Sequence, residues 1–281
     1  MRSLGLPFLG AVYRSVPSLP IRRRLFGAFC FAVRPLKLVA RVDGIRYDLD
    51  LSEMIDLALL LRQFEPHTAA AFRRYVQPGW TVLDIGANIG AHALPLTKLT
   101  GPTGRVFAFE PTDYAYRKLV RNISLNEAFS NVYAVKAGLS NRNLYQQEVK
   151  LRATWPTRGK PVIEPGKTDF RRLDNWCAEN GVDRVDLMKI DVDGHEYEVL
   201  DGSRELLSRC LPLILIETGW YHFSEASKNP IAVLNSLGYR FLDERKPAEF
   251  ASLDEIERKL KPAGGEEPGT INLIAIASPR E

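Results

Sequence analysis

Proton-transfer groups crowd into one eight-residue stretch, Lys189-Ile190-Asp191-Val192-Asp193-Gly194-His195-Glu196. Lys189, Asp191, Asp193, His195 and Glu196 can each give or take a proton, and no other segment has that density. His195 is the first candidate for a general base, since an unperturbed imidazole titrates near ~6.5. The plainer role for it is to hydrogen-bond the first turn of the following helix. Asp191 is the second candidate, as a base or as a ligand contact. Carboxylates also close three other apolar runs, at Asp84, Glu110 and Glu217. Open α/β sheets bind ligands at the carboxyl ends of their strands. Four acids at four such ends suit a cationic or hydroxyl-rich ligand.

The loop Asp84-Ile85-Gly86-Ala87-Asn88-Ile89-Gly90 supplies glycines for close backbone approach. A dinucleotide fingerprint would place glycine at 88 and 91, where this chain has Asn88 and Ala91, so a pyrophosphate loses its usual cradle. Glu110, twenty residues after Gly90, is spaced to accept both hydroxyls of a ribose. Its plainer role is a charge at a helix N-terminus beside Pro111. Glu217 is placed to orient a base or bind a sugar hydroxyl. Trp220, Tyr221 and His222 follow it, suited to stacking on a sugar ring or to a lid over a cofactor. The 141–167 segment carries Lys150, Arg152, Arg158, Lys160 and Lys167 around Trp155. It reads either as a contact for an acidic acceptor or as a solvated loop. His67 and His92 read as structural.

These groups need strands to carry them. Alternating strand and helix patterns begin after Pro78-Gly79. Strands are expected at 81–85, 105–110, 131–137, 186–191 and 213–217, with helices near 91–100, 112–126, 168–180 and 196–208. Nearly continuous apolar strands joined by helices imply a parallel sheet covered on both faces. Two tail strands are expected at 239–242 and 271–276, with a solvated excursion between them. Ahead of the core, Asp43-Gly44 joins two short strands as a hairpin. Helices follow from Ser52, a plausible cap, and from Pro66.

Hydrophobic residues make up 45% of the 281-residue chain and charged residues 26%, a globular balance. Cys30, Cys177 and Cys210 are far apart and form no metal-finger spacing, which points to a reduced compartment and buried thiols. The net charge of +4 is uneven. Residues 1–40 hold seven basic side chains and no acidic one, which leaves −3 for the rest and argues against a nucleic-acid groove across the body. The apolar run 25–33 is too short to span a bilayer, which takes ~20 residues. Its flanks do not fit a cleaved signal. Residues 14–37 therefore read as a basic helix on an anionic membrane face or as a cover for the body or a partner subunit. The expected location is cytoplasmic or peripheral to the inner membrane face.

Val82 to Gly90, the run Phe107-Ala108-Phe109-Glu110-Pro111, and the 189–196 block followed by Val199-Leu200-Asp201-Gly202 together resemble the FkbM family of methyltransferases. The likeness spans roughly residues 40–276. It implies a Rossmann-like α/β domain with a mostly parallel seven-stranded sheet over 38–281. Within that span, 38–78 would form a hairpin and helices and 79–281 the core, with 1–37 as a basic extension. It implies S-adenosyl-L-methionine as donor, S-adenosyl-L-homocysteine as product, and a hydroxyl of a glycan or secondary metabolite as acceptor. Carried over, Asp84, Gly86, Asn88 and Gly90 line the methionine and ribose side, and Glu110 takes the ribose. Ser140, in Ala137-Gly138-Leu139-Ser140 where members commonly have Ala-Leu-Ser, stands beside the adenine. Glu65 closes the pocket, and Asp191 lies near the sulfonium. His195, Asp191 and Glu217 are the catalytic candidates. Lys189, Asp193, Glu196, Trp220, Tyr221 and His222 are the acceptor-side candidates. Asp191, Asp193 and Glu217 have the oxygen chemistry for magnesium, but the further Asp-Asn pair is missing, so no metal is expected. Two other readings remain open: a nicotinamide-dependent oxidoreductase, and a non-catalytic module that binds S-adenosylmethionine.

Overall fold

The computed structural model describes residues 33, 35–152, 156–157, 163–246, 248–261 and 269–277. The basic segment through residue 32, with Cys30, lies outside them, as do Trp155, Arg158 and Lys160. Among the described residues, no helix is long and apolar enough to cross a membrane.

Strands β1 (Lys37–Val42) and β2 (Ile45–Asp50) form the expected hairpin. Asp43 and Gly44 both take positive φ, 50° and 88°, as a two-residue turn matched to strand twist requires. Helices α1 (Met54–Leu60) and α2 (Pro66–Tyr75) follow. Ser52 does not cap α1; its hydroxyl turns back to Asp50 instead.

The core strands are β3 (Thr81–Ile85), β4 (Arg105–Phe109), β5 (Val132–Val135), β9 (Leu187–Ile190), β10 (Leu213–Gly219), β11 (Tyr239–Asp243) and β12 (Thr270–Ala277). They lie in the order β11-β12-β10-β9-β3-β4-β5, and β12 alone runs against its neighbours. Alternate residues enter opposite cores. Leu83, Ile85, Met188, Ile190, Ile214 and Ile216 join one cluster, while Val82, Val106, Ala108, Leu187 and Leu215 join the other. The first cluster is covered by α5 (Leu173–Glu179), α6 (Glu196–Asp201), α7 (Arg204–Cys210), α8 (Pro230–Ser236) and α9 (Leu253–Leu260). The second is covered by α2, α3 (Ala93–Thr100) and α4 (Asp113–Ser124). A sheet buried on both faces has no polar face to offer, which is why its strands read as continuous apolar runs. Cys177 and Cys210 are free thiols on α5 and α7.

Four segments depart from the sequence reading. The 141–167 segment is not a solvated loop: β7 (Leu144–Arg152) pairs antiparallel with β8 (Ile163–Arg172), and β8 pairs parallel with β6 (Gly138–Ser140). Its far end returns to the body, where Thr157 N–H donates to Ser52 O at 2.8 Å. The hairpin's polar composition hid it, because its partners supply backbone hydrogen bonds rather than a core. The helix expected over 168–180 starts only at Leu173, since β8 occupies the residues before it. The helix expected over 196–208 breaks into α6 and α7 at Gly202, where an added Cβ would lie 2.1 Å from Ser140 O. The supposed excursion before β12 contains α9, capped by Ser252 and anchored by buried Ile256 and Leu260. Leu253, Ile256 and Leu260 recur at helical spacing behind Ser252, a signal overlooked among the surrounding Pro, Gly and Glu residues.

Candidate active site

Sheet register sets the site residues in a row. Ile85 pairs with Phe109 on one side and Ile190 on the other, and Ile190 pairs with Ile216. The next residue of each strand, Glu110, Gly86, Asp191 and Glu217, therefore stands beside its neighbour at the carboxyl edge. The chain runs from β3 outward to β5 and returns to β9 on the far side of β3, so strand order reverses between Gly86 and Asp191. Ligands of open α/β sheets bind at that kind of crevice.

At one end of the row the glycine loop is held by backbone bonds. Gly86 N–H and Ala87 N–H donate to Phe109 O at 3.1 and 2.9 Å. Gly86 has φ 82°, and an added Cβ would come within 1.9 Å of Asp191 O, so only glycine lets the two loops meet. Glu110 is buried. Its Oε2 accepts Asn88 N–H at 3.0 Å, and its Oε1 accepts the Thr112 N–H and hydroxyl at 2.8 and 2.6 Å. Burial pushes this carboxyl up, against the pull of those three donors. Behind the loop, Asn122 Nδ2 donates to Ile89 O at 2.8 Å while its Oδ1 accepts Asp48 N–H at 2.7 Å. The N-terminal hairpin is thereby fastened to the loop. Asn122 was missed from sequence; its one signal is an amide on the buried stripe of α4 with Ala115 and Leu119.

Lys189, expected on the acceptor side, lies inside the floor of the row. Its Nζ donates to Gly86 O at 3.1 Å and stands 3.1 Å from Asp191 Oδ2 and 3.7 Å from Asp84 Oδ1. Burial works against its charge, but Asp191, Asp84 and Glu65 outweigh burial and raise its pKa, so the ammonium persists. Asp84 is wholly buried, which pushes its carboxyl up, and neither oxygen has a hydrogen-bond partner. Glu65 takes left-handed φ 34° ahead of α2 and meets His92 Nε2 at 2.8 Å. Burial opposes its charge, yet the His92 bond and the Lys189 ammonium hold it down to about 2. His92, buried between Phe64 and Phe72, thus has a partner that the sequence did not disclose.

The far end of the row is acidic. Glu196 and His222, both expected to face the acceptor, are instead buried as a pair 2.7 Å apart. His222 Nδ1 accepts Gly219 N–H at 3.2 Å, which puts the ring proton on Nε2, donated to Glu196. The other Glu196 oxygen accepts Val192 and Gly194 N–H at 3.1 and 3.2 Å, stapling the 191–196 loop to the end of β10. Burial opposes its ionisation, but the His222 bond outweighs burial and holds the carboxyl low. Glu217 has the opposite balance. Burial and then Asp191 push it up to about 8, against a hydrogen bond from the Thr270 side chain, with Glu196 and Asp193 adding to the rise. Tyr221 lies over this cluster, 41% exposed, its ring against Gly194 and Gly219. Burial and the carboxylates Glu196, Glu217, Asp193 and Asp191 raise its phenol. Trp220 instead packs on the core with Lys261 Nζ 5.8 Å from its ring centre. His195 spans Ser140 Oγ at 3.2 Å and Glu198 at 3.5 Å, with Phe170 beside it.

The methyltransferase FkbM domain matches residues 84–241, more than half of the chain. The chain belongs to that family. Methyltransferase sdnD of Sordaria araneosa is 30% identical over 171 residues, 49% of this chain and 65% of that protein. The 2-O-methyltransferase NoeI of Sinorhizobium fredii is 25% identical over 56% of this chain and 74% of its own length. The hexuronic acid methyltransferase AglP of Haloferax volcanii is 25% identical over 63% of this chain and 65% of its own.

Proposed function

We propose that this protein transfers a methyl group from S-adenosyl-L-methionine to a hydroxyl of a sugar or secondary metabolite, releasing S-adenosyl-L-homocysteine. The observation that carries this reading is the row Glu110, Gly86, Asp191, Glu217 across the switch point. The donor's groups match what the row offers. Glu110 keeps lone pairs for the ribose diol after accepting its three donors. The Gly86 surface admits the chain close to Asp191. Asp84, wholly buried with neither oxygen hydrogen-bonded and Lys189 Nζ 3.7 Å away, would act on the methionine ammonium from beneath the loop rather than by contact. Asn88, Gly90, Glu65 and Ser140 would complete this side. The donor, when bound, supplies a methyl on a sulfonium, a good leaving group.

The protein's part is to position the acceptor, exclude water and take its hydroxyl proton. We assign that proton to Glu217 Oε, with Asp191 beside it orienting the hydroxyl. A carboxyl titrating at about 8 is a far stronger base than an ordinary glutamate. His195 points instead to Ser140 and Glu198. Asp193 and Tyr221 stand around Glu217, while the buried Glu196–His222 pair fixes the loop that carries Asp191 and Asp193. Relatives named as a 2-O-methyltransferase and a hexuronic acid methyltransferase support oxygen as the site of transfer and a sugar as the acceptor.

The test is thermal melting with saturating S-adenosylhomocysteine, followed by tritium transfer from labelled donor to candidate acceptors. A raised melting temperature is expected. Its absence sinks the donor assignment.

A further inference from the structure

The row of site residues continues past Glu217. Asn272 on β12 pairs with Glu217 in the antiparallel register, and Glu244 N–H donates to Asn272 O at 3.4 Å just beyond β11. Thr68, on the first turn of α2 and 1% exposed, donates its hydroxyl to Glu244 Oε2 at 2.7 Å. Asn272 Nδ2 donates to Thr68 Oγ1 at 3.0 Å and to Glu244 Oε1 at 3.4 Å. Glu65, three residues before Thr68, acts electrostatically on Glu244 and on Lys189 alike. This Thr68–Asn272–Glu244 network therefore stands next to the donor floor, on the side away from Glu110.

We propose that Glu217, Asn272, Glu244 and Thr68 form the acceptor's subsite, and that it takes an uncharged, hydroxyl-rich ring and turns away a hexuronate. The proposal rests on the methyl-transfer reading above. Each Glu244 oxygen already accepts one bond from a fixed donor and keeps lone-pair capacity for the vicinal hydroxyls of a sugar. Asn272 and Glu244 are only partly buried, whereas Thr68 is buried. Tyr221 presents an exposed ring face at the same end, suited to the apolar face of a pyranose.

Charge decides between neutral and acidic rings. The charges acting most strongly on Glu217 and Tyr221 are all carboxylates: Asp191, Asp193 and Glu196, with Glu217 itself acting on Tyr221. Lys189 is already engaged with Gly86 and Asp191. Arg245 bears on Glu244, and its backbone N–H is tied to Asp243. Burial pushes the carboxyls of Glu217 and Glu244 up, so the repelling charges are those of Asp191, Asp193 and Glu196. One arginine at the edge does not offset these three, and a carboxylate brought in by the acceptor meets net repulsion.

The experiment uses the full chain, tritiated S-adenosylmethionine, and the methyl glycosides of a hexose, a 2-amino-2-deoxyhexose and a hexuronic acid. The hexoside is expected to take label at least about tenfold faster than the hexuronate, the margin of one like-charge contact near the protein surface. Glu244→Gln keeps the shape but removes the charge. It should raise KM for the hexoside about tenfold, leave S-adenosylhomocysteine affinity unchanged, and narrow the preference over the hexuronate. Thr68→Val should raise the same KM by freeing Glu244. Equal labelling of hexuronate and hexoside overturns the proposal. So does an unchanged KM in Glu244→Gln, or no labelled sugar from a protein that binds S-adenosylhomocysteine. Failure to bind S-adenosylhomocysteine at all removes the methyl-transfer reading itself, a separate result.

Discussion

At the Glu110 end of the row, charge meets donor. Glu110 accepts three hydrogen bonds, Lys189 rests between Asp191 and Asp84, and Glu65 meets His92. At the Glu217 end, carboxylate meets carboxylate, and Glu217 is driven up to about 8. Under the proposed function, the first arrangement would hold the donor still. The second would keep the proposed proton acceptor poised near neutral pH, because desolvation and like charge both penalise ionisation. Binding and chemistry are thus assigned to opposite electrostatic designs a few strands apart.

The sharpest way to break this contrast is to alter each end separately. Glu217→Gln should reduce turnover by about 10²–10⁴-fold, the usual worth of a general base, and leave the melting shift with S-adenosylhomocysteine intact. A parallel loss of both would merge the two ends into one. Glu110→Ala should weaken S-adenosylhomocysteine by about 10–100-fold in calorimetry, since the ribose loses a charged acceptor. Unchanged affinity would remove the donor from that end. Glu196→Ala strands the Val192 and Gly194 N–H groups, and urea unfolding should show a loss of about 1–3 kcal/mol.

Smaller effects sharpen the same contrast. Glu217 has a folded pKa above its ordinary value of 4.5, so folding favours its protonated form. Its stabilising contribution is complete below about 4.5 and is lost as pH rises toward about 8. Wild-type melting temperature should therefore decline over that window more steeply than that of Glu217→Gln; identical slopes would place the proton elsewhere. Turnover should move in the opposite direction, rising through about pH 8 as Glu217 ionises. His195→Ala should change turnover least and keep that pH profile. Loss of the profile in His195→Ala would return the base to the imidazole.

The proposed donor end is legible as sequence because it is local. Asp84, Gly86, Asn88 and Gly90 share one loop, and Glu110 follows at a fixed spacing set by one strand-helix-strand unit. The acceptor end was legible only as a list of residue types. Nothing in the spacing of Glu196 and His222, 26 residues apart, says that they face each other rather than solvent. Thr68 and Asn272 lie 204 residues apart, and no local pattern links them. The β7–β8 hairpin and α9 were hidden for different reasons. The hairpin's residues are mostly polar and its strands are completed by distant partners, whereas α9 shows Leu253, Ile256 and Leu260 at helical spacing and was masked only by its Pro- and Gly-rich surroundings.

The sequence by itself determined the strand-helix alternation, the glycine loop and the identity of the acids at the strand ends, because hydrophobic period and glycine spacing are local properties. Only the tertiary structure decided which of those acids ionise readily, which are stapled and which are left to repel. That outcome depends on burial and on neighbours from distant strands. Lys189 shows the division most plainly. Its place at the end of a strand is written in the sequence, while its engagement with Gly86, Asp191 and Asp84 exists only once β3 and β9 lie side by side.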